Sequence, residues 1–180
     1  GLTGANTADA AALSLAGANA AKFANAADTG SKGAWLKDAG SLTLKVVGGG
    51  LTAGTPYEIK FDLTNPAAAP TAPAPSIATT SAMTANSVMA VAMTLPGTAL
   101  GGVANGANPL MVVVPAFTTK AIGQSTKTAG ATNRLTVTLV SATDLVVGST
   151  VTISGLTGTD TADRELNLLP VAGGNNGHQQ

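Results

Sequence analysis

The clearest pattern in the chain has a period of two. Leu135, Val137 and Leu139 alternate with Thr136 and Thr138, and Tyr57, Ile59, Phe61 and Leu63 alternate with Glu58, Lys60 and Asp62. Successive side chains of a strand point to opposite faces, so each run predicts a β-strand with one covered and one wet face. Turn residues bound both runs, in Gly48 to Gly54 and in Ser141 to Gly148. Further strands are expected at Ser87 to Leu95, Leu110 to Val114 and Val151 to Ser154. Many short strands separated by glycine-rich turns predict an all-β chain.

Two stretches need separate treatment. Ala5 to Ala27 is alanine-rich and helical by propensity, yet Asn6, Asp9, Gly17, Asn19 and Asn25 interrupt it, and strand with loop is the expectation. Asn65 to Ser76 holds Pro66, Pro70, Pro73 and Pro75. These fix an extended backbone and remove ladder donors, which suits a rim connection or an edge.

A repeat organises the whole chain. Residues 1–9 (GLTGANTAD) recur as residues 155–163 (GLTGTDTAD), with changes only at Ala5/Thr159 and Asn6/Asp160. Beyond this block, Leu13 and Leu15 find counterparts in Leu166 and Leu168 after a shift of one residue. The chain is therefore one period of about 154 residues plus an overlap. A fainter repeat lies within it: Ser41–Gly48 (SLTLKVVG) aligns with Arg134–Ser141 (RLTVTLVS), at a spacing of about 93 residues. That spacing is close to one immunoglobulin-type sandwich. The expected architecture is immunoglobulin-like β-sandwich units in tandem. Residues 1–37 would complete the sandwich of a preceding or neighbouring unit, residues 38–116 would form one unit, and residues 117–180 a partial second unit with a polar tail. The second unit is too short to close alone, so a neighbouring repeat or subunit must complete it.

Composition narrows the function. Charged residues make up 10% of the chain, nine basic against nine acidic, and aromatics 3%. With no net field to draw a polyanion, nucleic acid is not an expected partner. No apolar run reaches the roughly 18 residues of a membrane span. The chain has no cysteine, so thiolate chemistry and disulfides are absent. Gly1-Leu2-Thr3-Gly4 has no Met and no apolar leader, and reads as the start of a mature or excised chain. Low charge with abundant Thr and Ser suits solubility through hydroxyls, attached sugars or incorporation into an assembly.

Three strings resemble tandem-repeat, immunoglobulin-like surface proteins of marine algae and related protists: Tyr57 to Pro66, Phe117 to Gln124, and Leu135 to Leu139 with Ile153 to Gly158. The resemblance implies a secreted or cell-surface polypeptide and brings no catalytic residues with it.

Candidate chemistry is sparse. The one histidine, His178, lies in the polar tail, and no Gly-x-Ser-x-Gly elbow or phosphate loop is present. An enzyme is not expected, and neither is a cofactor. Asp160, Asp163 and Glu165 form the one close acidic cluster and are a weak Ca²⁺ candidate, since only Asp163 has an acidic counterpart, Asp9, in the first copy. Trp35 is either a core anchor or a platform for a sugar face. Assembly contacts are expected at Leu13, Leu15, Met89, Val91, Met93, Val112 and Val114, because 88–93 and 110–114 are apolar on both faces. Either a loop or another unit in a filament would cover them. There is no Asn-x-Ser/Thr sequon, so sugar would be O-linked, with Pro70, Thr71, Pro73, Pro75 and Ser76 as the candidate region. Two functions follow as expectations. The first is a structural subunit of an extracellular filament, flagellar hair or surface coat, assembling head-to-tail with copies of itself through strand complementation. The second is an extracellular adhesion or glycan-binding module.

Overall fold

The structure is a computed structural model that describes residues 2–81 and 87–169. Nine strands appear in chain order: β1 (Ala10–Ser14), β2 (Phe23–Ala24), β3 (Lys32–Leu36), β4 (Ser41–Thr43), β5 (Lys45–Val46), β6 (Ser76–Thr79), β7 (Val88–Ala92), β8 (Phe117–Gln124) and β9 (Leu135–Ser141). The described residues contain no α-helix, and one 3₁₀ turn at Ala20–Lys22 is all the helical geometry that the alanine-rich stretch adopts. The all-β expectation holds.

All pairing is antiparallel. One sheet has three strands in the order β1-β3-β4, and three ribbons pair β2 with β5, β6 with β7 and β8 with β9. The β3–β4 hairpin turns through Lys37–Gly40, closed by the Gly40 N–H donating to the Lys37 carbonyl, and places Trp35 opposite Leu42. Gly40 sits at φ +57° with the backbone of Leu2 and Thr3 where a Cβ would project, so only glycine fits this corner.

The core lies within residues 15–61. Leu15, Ala20 and Phe23 are buried together, and Leu42, Leu44, Ile59 and Phe61 pack against them. The run from Tyr57 to Leu63 shows the expected alternation: its apolar residues are half-buried and its charged residues exposed. Its pairing is sparse, centred on the reciprocal bonds of the Ala16–Lys60 bridge. Among the described residues none after Pro75 is buried.

Three expected strands do not form: the run from Tyr57 to Leu63 keeps only the isolated Ala16–Lys60 bridge, and two further segments are not strands. Leu110 to Val114 begins inside a turn in which the Met111 N–H reaches the Asn108 carbonyl, Pro109 is the second residue and Leu110 lies at φ +56°. That is a type II turn, whose left-handed third position breaks the extended run. Val151 to Ser154 is exposed and belongs to no strand, because no ladder partner lies alongside it.

The chain divides into two compact units, Gly1–Leu145 and Val146–Gln180. Pairing of β3 with β4 crosses residue 37, and residues 2–37 are served by 41–64 of their own chain. In the second unit every described residue, 146–169, is exposed.

Candidate assembly surface

The N-terminal strap comes first, since it shows how an extended segment is held. The Leu2 N–H donates to the Gly40 carbonyl and the Asn6 N–H to the Thr64 carbonyl. Thr7 is gripped twice: its hydroxyl accepts the Thr64 N–H at 2.7 Å, and its carbonyl accepts the Trp35 indole N–H at 3.0 Å. The Asp9 carboxylate accepts the Lys37 N–H at 2.7 Å, and the Lys37 ammonium approaches the Asn6 side-chain oxygen at 3.4 Å. Ala5 is 2% exposed. Residues 2–9 are therefore fixed by backbone ladders and by two short side chains acting on distant backbone.

Trp35 is 1% exposed and the largest fully buried side chain among the described residues. It is a core anchor. The alternative in which it stacks on a sugar is corrected, because no ring face reaches solvent.

The expected assembly residues separate into two groups. Leu15 belongs to the core and Leu13 is half-buried on β1, opposite Gly33. Leu15 is therefore taken up by the chain's own core, while Leu13 is only partly covered. Met89 (88% exposed) and Val91 lie on β7 and Met93 just after it, all exposed; a bulge in β7 between Val88 and Val91 breaks the alternation, so Val88 and Val91 share the face of their partners Thr79 and Ile77. Val114 is exposed and Val112 half-buried in the segment after the 108–111 turn.

A second apolar face was missed by sequence reasoning. On β8–β9, Ile122 pairs with Val137, Lys120 with Leu139 and Gln124 with Leu135, so Ile122, Leu135, Val137 and Leu139 line one side and all are exposed. The other side carries Ala121, Gly123, Thr136 and Thr138. Alternation in 135–139 was visible in the sequence, but nothing there says that this apolar side lacks a cover. Asn133 organises the hairpin end: its carbonyl oxygen accepts the N–H groups of Ser125 and Thr126, and its amide donates to Gln124 at 2.9 Å.

Asp160, Asp163 and Glu165 are exposed, and among the described residues no group of three such side chains is gathered to hold a metal. These acids lie on a segment that belongs to no strand or helix. Pro75 is buried and its carbonyl accepts the Met93 N–H, Pro70 and Pro73 are half-buried, and Thr71 and Ser76 are exposed. Ser76 opens β6 opposite Ala92. His178 and the tail from Gly173 lie outside the described residues. No described helix is long and apolar enough to cross a membrane.

Among the described residues, Tyr57 is the group with a displaced acidity. The Thr52 N–H donates to its phenol oxygen at 2.8 Å and so favours the phenolate, lowering the pKa from its ordinary value. No protein-family model, curated protein or solved structure matches the chain.

Proposed function

We propose that the chain is a structural subunit of an extracellular filament or surface coat, built of immunoglobulin-like units in tandem and assembled head-to-tail with copies of itself. The observation that carries this reading is the pair of two-stranded ribbons, β6–β7 and β8–β9, each with an apolar face turned to solvent. A two-stranded ribbon is marginal in water unless a third strand or a packed layer covers it. Exposed apolar faces next to unpaired edges are also what a neighbouring chain recognises. The repeat adds direction. A surface that meets a different surface on the next copy propagates as an open chain, not a closed pair. The low charge offers little repulsion between copies.

Negative-stain microscopy with sedimentation velocity over a concentration series tests the reading. Fibres, or a sedimentation coefficient that grows with concentration, are expected. A chain that stays monomeric at high concentration and binds immobilised glycans would replace this reading with an adhesion module.

A further inference from the structure

Residues 155–163 repeat the strap of residues 1–9 in sequence, and the structure shows what each strap residue does. We propose that residues 155–163 are an exchangeable strap that seats in the 2–9 position of a second copy of this chain. The inference deepens the assembly reading above and rests on it, naming the interface through which one copy holds the next.

Every strap residue that makes a specific contact is retained or replaced by one able to make it. Thr161 stands for Thr7, whose hydroxyl takes the Thr64 N–H and whose carbonyl takes the Trp35 indole. Asp163 stands for Asp9, which accepts the Lys37 N–H. Leu156 stands for Leu2, bonded through its backbone to Gly40. The backbone also agrees at the residue that demands a special conformation. Gly4 lies at φ +99° and Gly158 at φ +84°, both in the left-handed region. A segment outside the core thus keeps the bend that the seated copy needs.

The two differences act in opposite directions. Asp160 replaces Asn6, which faces the Lys37 ammonium, so a carboxylate would meet a cation where the resident strap offers a neutral amide. Thr159 replaces Ala5, which is 2% exposed, so a hydroxyl and a methyl must enter a space sized for alanine. The first favours exchange and the second restrains it. A strap that were an unrelated linker would show neither the retained Thr and Asp nor the matched glycine. Residues 155–163 are exposed throughout and bond locally, with the Thr161 N–H donating to the Thr159 hydroxyl. They are therefore accessible to a second copy.

The full-length double variant T64C/T161C, made in a chain with no native cysteine, gives the test. Under oxidation, or with a short bis-maleimide, it is expected to form a ladder of covalent multimers on denaturing gels. Adding D160N should thin the ladder severalfold, and adding T159A should strengthen it. The double variant T7C/T64C should close within one chain and abolish multimers under native conditions, with unchanged circular dichroism showing that it still folds. A T64C/T161C chain that stays single, or that links only within itself, overturns the proposal. Fibres of normal appearance without the ladder would sink this interface while leaving the assembly reading intact. A ladder without fibres would keep the interface and sink the filament.

Discussion

With its indole covered and its N–H given to the Thr7 carbonyl, Trp35 connects the strap, the β1-β3-β4 sheet and the apolar layer beneath it. Replacing it by alanine removes the largest buried side chain of a small core, and a loss of about 3–5 kcal/mol is expected. Urea unfolding followed by circular dichroism measures this, since the sole tryptophan would no longer report. Trp35→Phe should cost less but still lose strap protection, because the Thr7 carbonyl is left without its donor. Asn25 is the buried polar residue of the same region and is fully used: its amide donates to the Ala11 carbonyl and its oxygen accepts the Thr29 N–H. The surface pairs Lys45–Asp28 and Lys60–Glu58 are exposed on both sides and contribute little. Tyr57 yields a pH prediction of definite sign. Its phenol is more acidic in the folded chain than in the unfolded one, so its ionisation favours folding only as pH rises past the unfolded value. That contribution is lost as pH falls through the folded value, and none is present near neutrality. Ultraviolet titration of the single tyrosine should give a midpoint below that of a tyrosine amide, and Thr52→Pro, which lacks the donor, should restore the ordinary value.

Elements differ in what supports them. The β1-β3-β4 sheet has a buried layer on one side and a strap along its edge, whereas β8–β9 has a seven-pair register and no cover. Its order depends on its own ladder and on the Asn133 side chain at the turn end. Asn133→Ala is expected to speed amide exchange along β8 and β9 by about fivefold, equivalent to ~1 kcal/mol of local opening, and to leave residues 10–46 unchanged. Uniform acceleration through both regions would show that the hairpin and the core open as one unit. In β1, a bulge between Ala10 and Leu13 shifts the register before Leu15 enters the core. That irregularity is why strict alternation fails to appear in this stretch.

For the molecule as a whole, the exposed apolar residues of the two ribbons are the surfaces on which the proposed association would turn. Met89→Lys with Val91→Lys places two like charges on exposed positions of β7 without touching the core. This double variant should keep the native melting temperature within about 2 °C and weaken self-association by at least about tenfold in sedimentation velocity. Undiminished association would show that β6–β7 is not a contact between copies. Residues 146–169 bring no buried layer of their own.

Much of the fold was legible from local pattern. Alternation marked β9 and the half-buried run from Tyr57 to Leu63, a short apolar run between turn residues marked β7, and interrupting Asn and Gly residues marked the alanine-rich stretch as strand and loop. The turn at 108–111 was hidden within an apolar run, where Pro109 and the left-handed Leu110 outweighed hydrophobicity. Of the candidate surface, Met89, Val91 and Met93 were legible and the β8–β9 face was not. The repeat-related segments explain why. Leu42 and Leu44 correspond to Leu135 and Val137, yet the first pair packs against Leu15, Phe23, Ile59 and Phe61 and the second faces solvent. By itself the sequence determined that both segments are extended and apolar on one side, because that information is carried by neighbours two residues apart. Only the tertiary structure decided which side is covered, because burial requires a partner surface from residues far along the chain, and only the first segment has one.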